Sequence, residues 1–116
     1  MIRVELTLRL PNNAGALAAV CHTLADHRVI VLAMSIGERG ELRLVVDNHV
    51  QGAAVLRERR HTVVERDVLV VDIAASVTAL RLIADAEINL NYSYGAASLL
   101  VLGVDDALRA SVAAGI

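Results

Sequence analysis

The chain has 116 residues, which is room for one ordinary domain or for two very small ones that share a core. Its apolar content, 56%, is almost all Ala, Val, Leu and Ile, with Tyr92 and Tyr94 the only aromatics, so the core can be large in area but holds few bulky anchors. The 21% charged content belongs to a folded chain, and a formal charge of −2 with no Lys and no basic stripe argues against nucleic-acid binding.

Ile2 to Leu10 alternates apolar and polar residues, as a half-buried strand does. That alternation also excludes a secretory signal, and no apolar run approaches the ~20 residues that span a bilayer. Cys21 is the only cysteine, so no internal disulfide forms; together these features place the protein in the cytoplasm. Pro11-Asn12-Asn13-Ala14-Gly15 is turn chemistry, and Asn13 is a candidate N-cap. Leu17, Val20, Cys21 and Leu24 then recur at helical spacing, which predicts an amphipathic helix to about His27.

Val29 to Ile36 reads as a strand and is apolar on both faces. Glu38-Arg39-Gly40-Glu41 turns the chain into a second strand, Leu42 to Val46, giving a hairpin with Gly40 supplying the turn conformation. Asp47-Asn48 opens a helix carrying Val50, Ala53, Ala54 and Leu56. Thr62 to Glu65 begins a strand that continues past a bend at Arg66-Asp67 to Ile73. A helix over 75–86, a strand over 88–94, a turn at Gly95-Ala96-Ala97, a strand over 98–104 and a helix capped by Asp105-Asp106 complete the chain.

The second half repeats the first. Ala25-Asp26 stands before Val29 as Ala84-Asp85 stands before Ile88, and Val46-Asp47-Asn48 matches Val104-Asp105-Asp106. The two offsets differ by one residue, so the second hairpin is one residue shorter. Each copy is β-α-β-β-α, and the first has a clear fourth strand. The predicted class is α+β: two ferredoxin-like βαββαβ modules, each an antiparallel sheet with helices on one face. Strands apolar on both sides need cover on the second face as well, which predicts a tight pair of modules and a homodimer.

Leu10-Pro11-Asn12-Asn13-Ala14-Gly15-Ala16-Leu17 resembles the loop that the ACT domain family places between its first strand and first helix, with Ala14 where that family usually has Pro. Arg28 to Ile36 looks like the family's second strand. Glu87 to Tyr94 is similar to the corresponding strand in the second module of small stand-alone tandem ACT proteins. The resemblance covers nearly the whole chain and divides it into a first module, 1–67, and a second, 68–116. The second module departs from the pattern: its first loop is about four residues short, and its fourth strand is missing or truncated. The family implies a regulatory protein that binds amino acids or similar small molecules at module or subunit interfaces, without catalysis. The rival expectation is an ACT-like dimer without a ligand, serving as an interaction or regulatory subunit of a metabolic enzyme.

The loop has a physical reason to hold a carboxylate, because a helix N-terminus leaves N–H groups unpaired and carries partial positive charge. The candidate ligand-binding residues are Asn12, Asn13, Ala14, Gly15, Ala16 and Leu17, with Met34, Ser35 and Ile36 receiving an apolar side chain. The plainer alternative is that Asn13 caps the helix and Gly15 eases a tight turn. Tyr92 and Tyr94 fall on one strand face with Ile88 and Leu90, and Asn91 and Ser93 on the other. Either the tyrosines pack a core or interface, or Asn91 and Ser93 line a second pocket. No His or Cys spacing suits a metal, no cofactor motif occurs, and no nucleophile–base set stands out, so an enzyme is not expected.

Overall fold

A computed structural model describes all residues, Met1–Ile116. The elements run β1 (Ile2–Arg9), α1 (Ala16–Asp26), β2 (Val31–Ile36), β3 (Glu41–Val46), α2 (His49–Glu58), β4 (Val64–Asp72), a 3₁₀ turn (Ile73–Ala75), α3 (Ser76–Asp85), β5 (Leu90–Ala96), β6 (Leu99–Val104) and α4 (Ala107–Ala114). The architecture is α+β and ferredoxin-like, with antiparallel strand pairs and four helices. Strands β2 and β5 begin two residues later than the sequence pattern suggests. The preceding residues are used to leave the helices: Arg28 and Glu87 both take φ 58, and the next amides, Val29 and Ile88, bond back to Leu24 and Ile83 carbonyls. This is the Schellman exit, built here without glycine.

By its contacts the chain divides into two compact units, Val4–Arg66 and Met1–Arg3 with Asp67–Ile116. In the unit Val4–Arg66, the strand order is β2-β3-β1 followed by the first residues of β4. Leu6 pairs with Leu44 and Leu8 with Leu42, so the apolar phases of β1 and β3 coincide on one face. There they pack with Val20 and Leu24 of α1 and Ala53 and Leu56 of α2. Burying each such leucine contributes about 1.5–3 kcal/mol. Asn48 caps α2, its Oδ1 accepting from the Gln51 amide at 3.1 Å.

In the other unit the order is Met1–Arg3, β4, β6, β5. This half carries the strands β4, β5 and β6, and a fourth lies beside β4. The N-terminus supplies it: the Met1 amino group donates to the Val70 carbonyl at 3.0 Å, and the Val70 amide donates to the Met1 carbonyl at 2.8 Å. Such reciprocal bonds mark an antiparallel pair. Burial there lowers the pKa of the Met1 ammonium. Ile2 joins Leu69, Val71, Ala79, Ile83, Leu102 and Val104 in the second core. Asp106 caps α4, its Oδ1 accepting from the Arg109 amide at 3.0 Å.

Three local expectations need correcting. Asn13 does not cap α1; Gly15 holds that position, and the Asn13 Oδ1 accepts from the Gly15 amide at 3.2 Å, closing an Asx turn. The second hairpin does not turn at Gly95-Ala96-Ala97. Ala96 pairs with Leu99, so the turn is Ala97-Ser98, with Ala97 at φ 54. The register also shifts between Leu90 and Tyr92. Leu90 pairs with Val104 on the helix side, whereas Tyr92 pairs with Gly103 and Tyr94 with Val101 on the opposite face. The tyrosines therefore do not share a face with Ile88 and Leu90. Their rings stack with centroids 6.4 Å apart.

Apolar residues that point away from the helices are also buried in each unit. Val45, Val68, Val70 and Val101 are all buried within the single chain. On the helix side, Met34 and Ile36 of β2, opposite Leu44 and Leu42, are 41% and 50% exposed, because β2 is an outer strand with a neighbour on one side only.

Candidate functional site

Because β1 and β3 are antiparallel, the residues that follow β1 lie beside those that precede β3. The β1–α1 loop and the β2–β3 turn thus meet at one end of the unit Val4–Arg66. The Leu10 amide donates to the Gly40 carbonyl at 2.8 Å, and Arg9 Nη1 donates to the Arg39 carbonyl at 3.0 Å. Gly40 is required twice over. Its φ is +83, and a Cβ there would stand 2.5 Å from the Leu10 carbonyl oxygen.

These contacts enclose an open hollow of about 340 Å³. Of the residues singled out in the sequence, Asn12, Asn13, Ala16, Leu17 and Ile36 line it. Ala14 and Gly15 are exposed loop residues outside the lining, and Met34 and Ser35 do not reach it. Asn91 and Ser93 belong to the other unit and are not part of this hollow. Asn91 Nδ2 donates to Asp105 Oδ1 at 2.8 Å, and Ser93 is exposed opposite Leu102.

The hollow also takes in Glu38 and Arg39, which in the sequence look only like turn residues. The signal that could have found them is topological: in a β-α-β-β order with β3 beside β1, the hairpin turn must face the β1–α1 loop. The polar wall therefore offers one cation, one anion and the Asn12 amide, whose side chain makes no hydrogen bond within the chain. The amides of Leu17 and Ala18, in the first turn of α1, have no partner inside the helix. Pro11, Leu17 and Ile36 make the apolar wall. No group of three or more His, Cys, Asp or Glu side chains stands close enough to hold a metal ion, and no helix is long and apolar enough to cross a membrane.

In the second half the equivalent junction is built differently. Strand residues correspond at a spacing of 63, Leu6 to Leu69 and Leu8 to Val71, whereas helix residues correspond at 59, Val20 to Ala79 and Leu24 to Ile83. The connection is four residues shorter and runs through the 3₁₀ turn, where Ser76 Oγ donates to the Ile73 carbonyl at 2.7 Å.

One βαββαβ unit with a hollow between its first loop and hairpin turn, and a second unit whose fourth strand is the N-terminal segment, make an ACT-like fold. No protein-family model matches the chain, and no curated protein does. Solved structures do. Protein BT0572 from Bacteroides thetaiotaomicron superposes with a TM-score of 0.87 at 20% identity, covering 97% of this chain and 86% of its own. The regulatory subunit of aspartate kinase from Thermus thermophilus, in a ligand-free form, gives 0.71 at 14% identity, covering 99% and 92%. E. coli aspartokinase III, in complex with lysine and aspartate, gives 0.63 at 19% identity, covering 97% of this chain and 29% of its own. At these identities the likeness establishes the fold.

Proposed function

We propose that this protein is a non-catalytic regulatory module that binds a small zwitterion, an amino acid or a close relative, in the hollow between the β1–α1 loop and the β2–β3 turn. The observation that carries the reading is the composition of that hollow. Arg39, the Asn12 amide and the first-turn amides of α1 suit a carboxylate; Glu38 suits an ammonium group; Pro11, Leu17 and Ile36 suit an apolar side chain. The likeness to a subunit described as regulatory, and to an aspartokinase described in complex with lysine and aspartate, supports the same reading. In this account Asn13 and Gly15 shape the loop, and Asn12 touches the ligand. The protein works in the cytoplasm as a homodimer, with Ile30, Met34 and Ile36 on and before the outer strand β2 offering apolar area to a second copy.

A second reading rests on another surface. Val77 on α3 and Leu108 and Val112 on α4 are mostly exposed, which favours an interaction subunit of a metabolic enzyme docking through these helices.

Thermal unfolding against each of the twenty amino acids at millimolar concentration separates the two. A ligand that binds only the folded state raises the midpoint, by the equivalent of about 2.7 kcal/mol at 100 times its dissociation constant. One or two amino acids are expected to do so, and Asn12→Ala to abolish the shift without lowering the ligand-free midpoint. No shift with any amino acid rejects the sensor and favours the subunit.

A further inference from the structure

A second hollow, of about 530 Å³, opens in the same unit where β1 ends and β4 begins. It shares only Pro11 with the hollow described above. We infer that this second hollow binds a small organic anion bearing a phosphate or paired carboxylates.

The polar wall is cationic. Arg9, Arg60 and His61 line it together with Thr62, whereas the Thr7 hydroxyl donates to Glu5 Oε1 at 3.4 Å. The Arg60 guanidinium and the His61 ring make no hydrogen bond or ion pair within the chain. Arg9 commits Nη1 to the Arg39 carbonyl, which holds the guanidinium in place and leaves its other donors free. The one acidic residue in the lining is Glu41, and its carboxylate lies over Gly37, in the space that a Gly37 Cβ would need.

The backbone that launches these side chains is pinned. The Arg60 amide donates to the Arg57 carbonyl at 2.9 Å, and the His61 amide to Leu56 at 3.1 Å, as α2 ends. Arg9, Arg60, His61 and Thr62 around one concavity suit the acceptor-rich outline of a phosphate or a pair of carboxylates. The volume lies in the range of small-molecule sites and far exceeds that of a water or two, and Pro11 and Val64 give the rest of the ligand an apolar surface. The ligand is therefore an organic anion, larger than inorganic phosphate.

The inference is independent of the amino-acid reading, and its test uses a different side chain. Pyrophosphate and citrate serve as probes, titrated calorimetrically into the whole protein at an ionic strength held constant with sodium chloride. Arg60→Gly is the chosen variant, because Arg60 already sits at φ 68, a conformation glycine takes at no cost. Saturable binding of at least one probe is expected, weakened about tenfold by Arg60→Gly, the loss of one charge-assisted hydrogen bond, and unchanged by Asn12→Ala. Weakening by about threefold or more sustains the inference. A smaller change, or no binding of either probe by the unmodified protein, overturns it.

Discussion

In the first half, β2 and β3 set Ala33 opposite Val45 beside a register shift; in the second, β5 and β6 set Tyr92 opposite Gly103 beside an equivalent shift. The two pairs sit at the same place in the repeat and fill it by opposite means. One uses a small and a medium side chain. The other lays a phenol ring over a residue with no side chain, so closely that a Cβ on Gly103 would collide with the Tyr92 ring. What the two halves share there is the bulge, not the residue type. The loops teach the complementary lesson. The first half spends four extra residues between strand and helix, and those residues wall a hollow; the second goes directly through a 3₁₀ turn and still builds its helix.

The comparison can be broken most directly at the tyrosine–glycine pair. Gly103→Val should destabilise by about 3 kcal/mol, read by denaturant unfolding, because the added side chain occupies the place of the Tyr92 ring. Adding Tyr92→Ala recreates the Ala–Val pair of the first half, so the double variant should recover more than 1 kcal/mol of that loss. Simple additivity would show that the two halves do not solve the same packing problem. Ile2→Ala tests the loan of the N-terminal strand to the second core. It should cost about 2 kcal/mol and raise amide exchange around Val70 before that around Leu44. Smallest are the helix exits. Arg28→Gly and Glu87→Gly should each stabilise by about 0.5–1 kcal/mol and by similar amounts, since both residues hold φ 58 at the same place in the repeat.

Much of this was legible in the amino-acid order. The alternation of Leu6 and Leu8 against Leu42 and Leu44 fixes which faces meet, and Asn48 and Asp106 declare the starts of α2 and α4. The offset of the repeat foretells that the second hairpin is one residue shorter, and the pairings of Ile36 with Leu42 and of Gly95 with Leu100 carry it out. What escaped is either a one-residue effect or a long-range one. A register shift at Leu90 reverses the faces of the tyrosines, and alternation alone cannot reveal it. The pairing of Met1 with Val70 joins residues 69 apart, beyond any local pattern. At the candidate site Asn12, Asn13, Ala16, Leu17 and Ile36 were legible because helix N-termini and apolar strand residues carry recognisable chemistry. Glu38 and Arg39 were not, because a charged turn looks like any solvated turn until the antiparallel pairing of β1 and β3 brings it against the loop.

We propose that the first half alone carries the amino-acid site. The most direct measurement is amide chemical-shift mapping with an amino acid that raises the unfolding midpoint. Shifts are expected at residues 10–17 and 36–40 alone, with 72–76 and 95–99 unmoved. Shifts centred on the second set, or spread evenly over both, would contradict it.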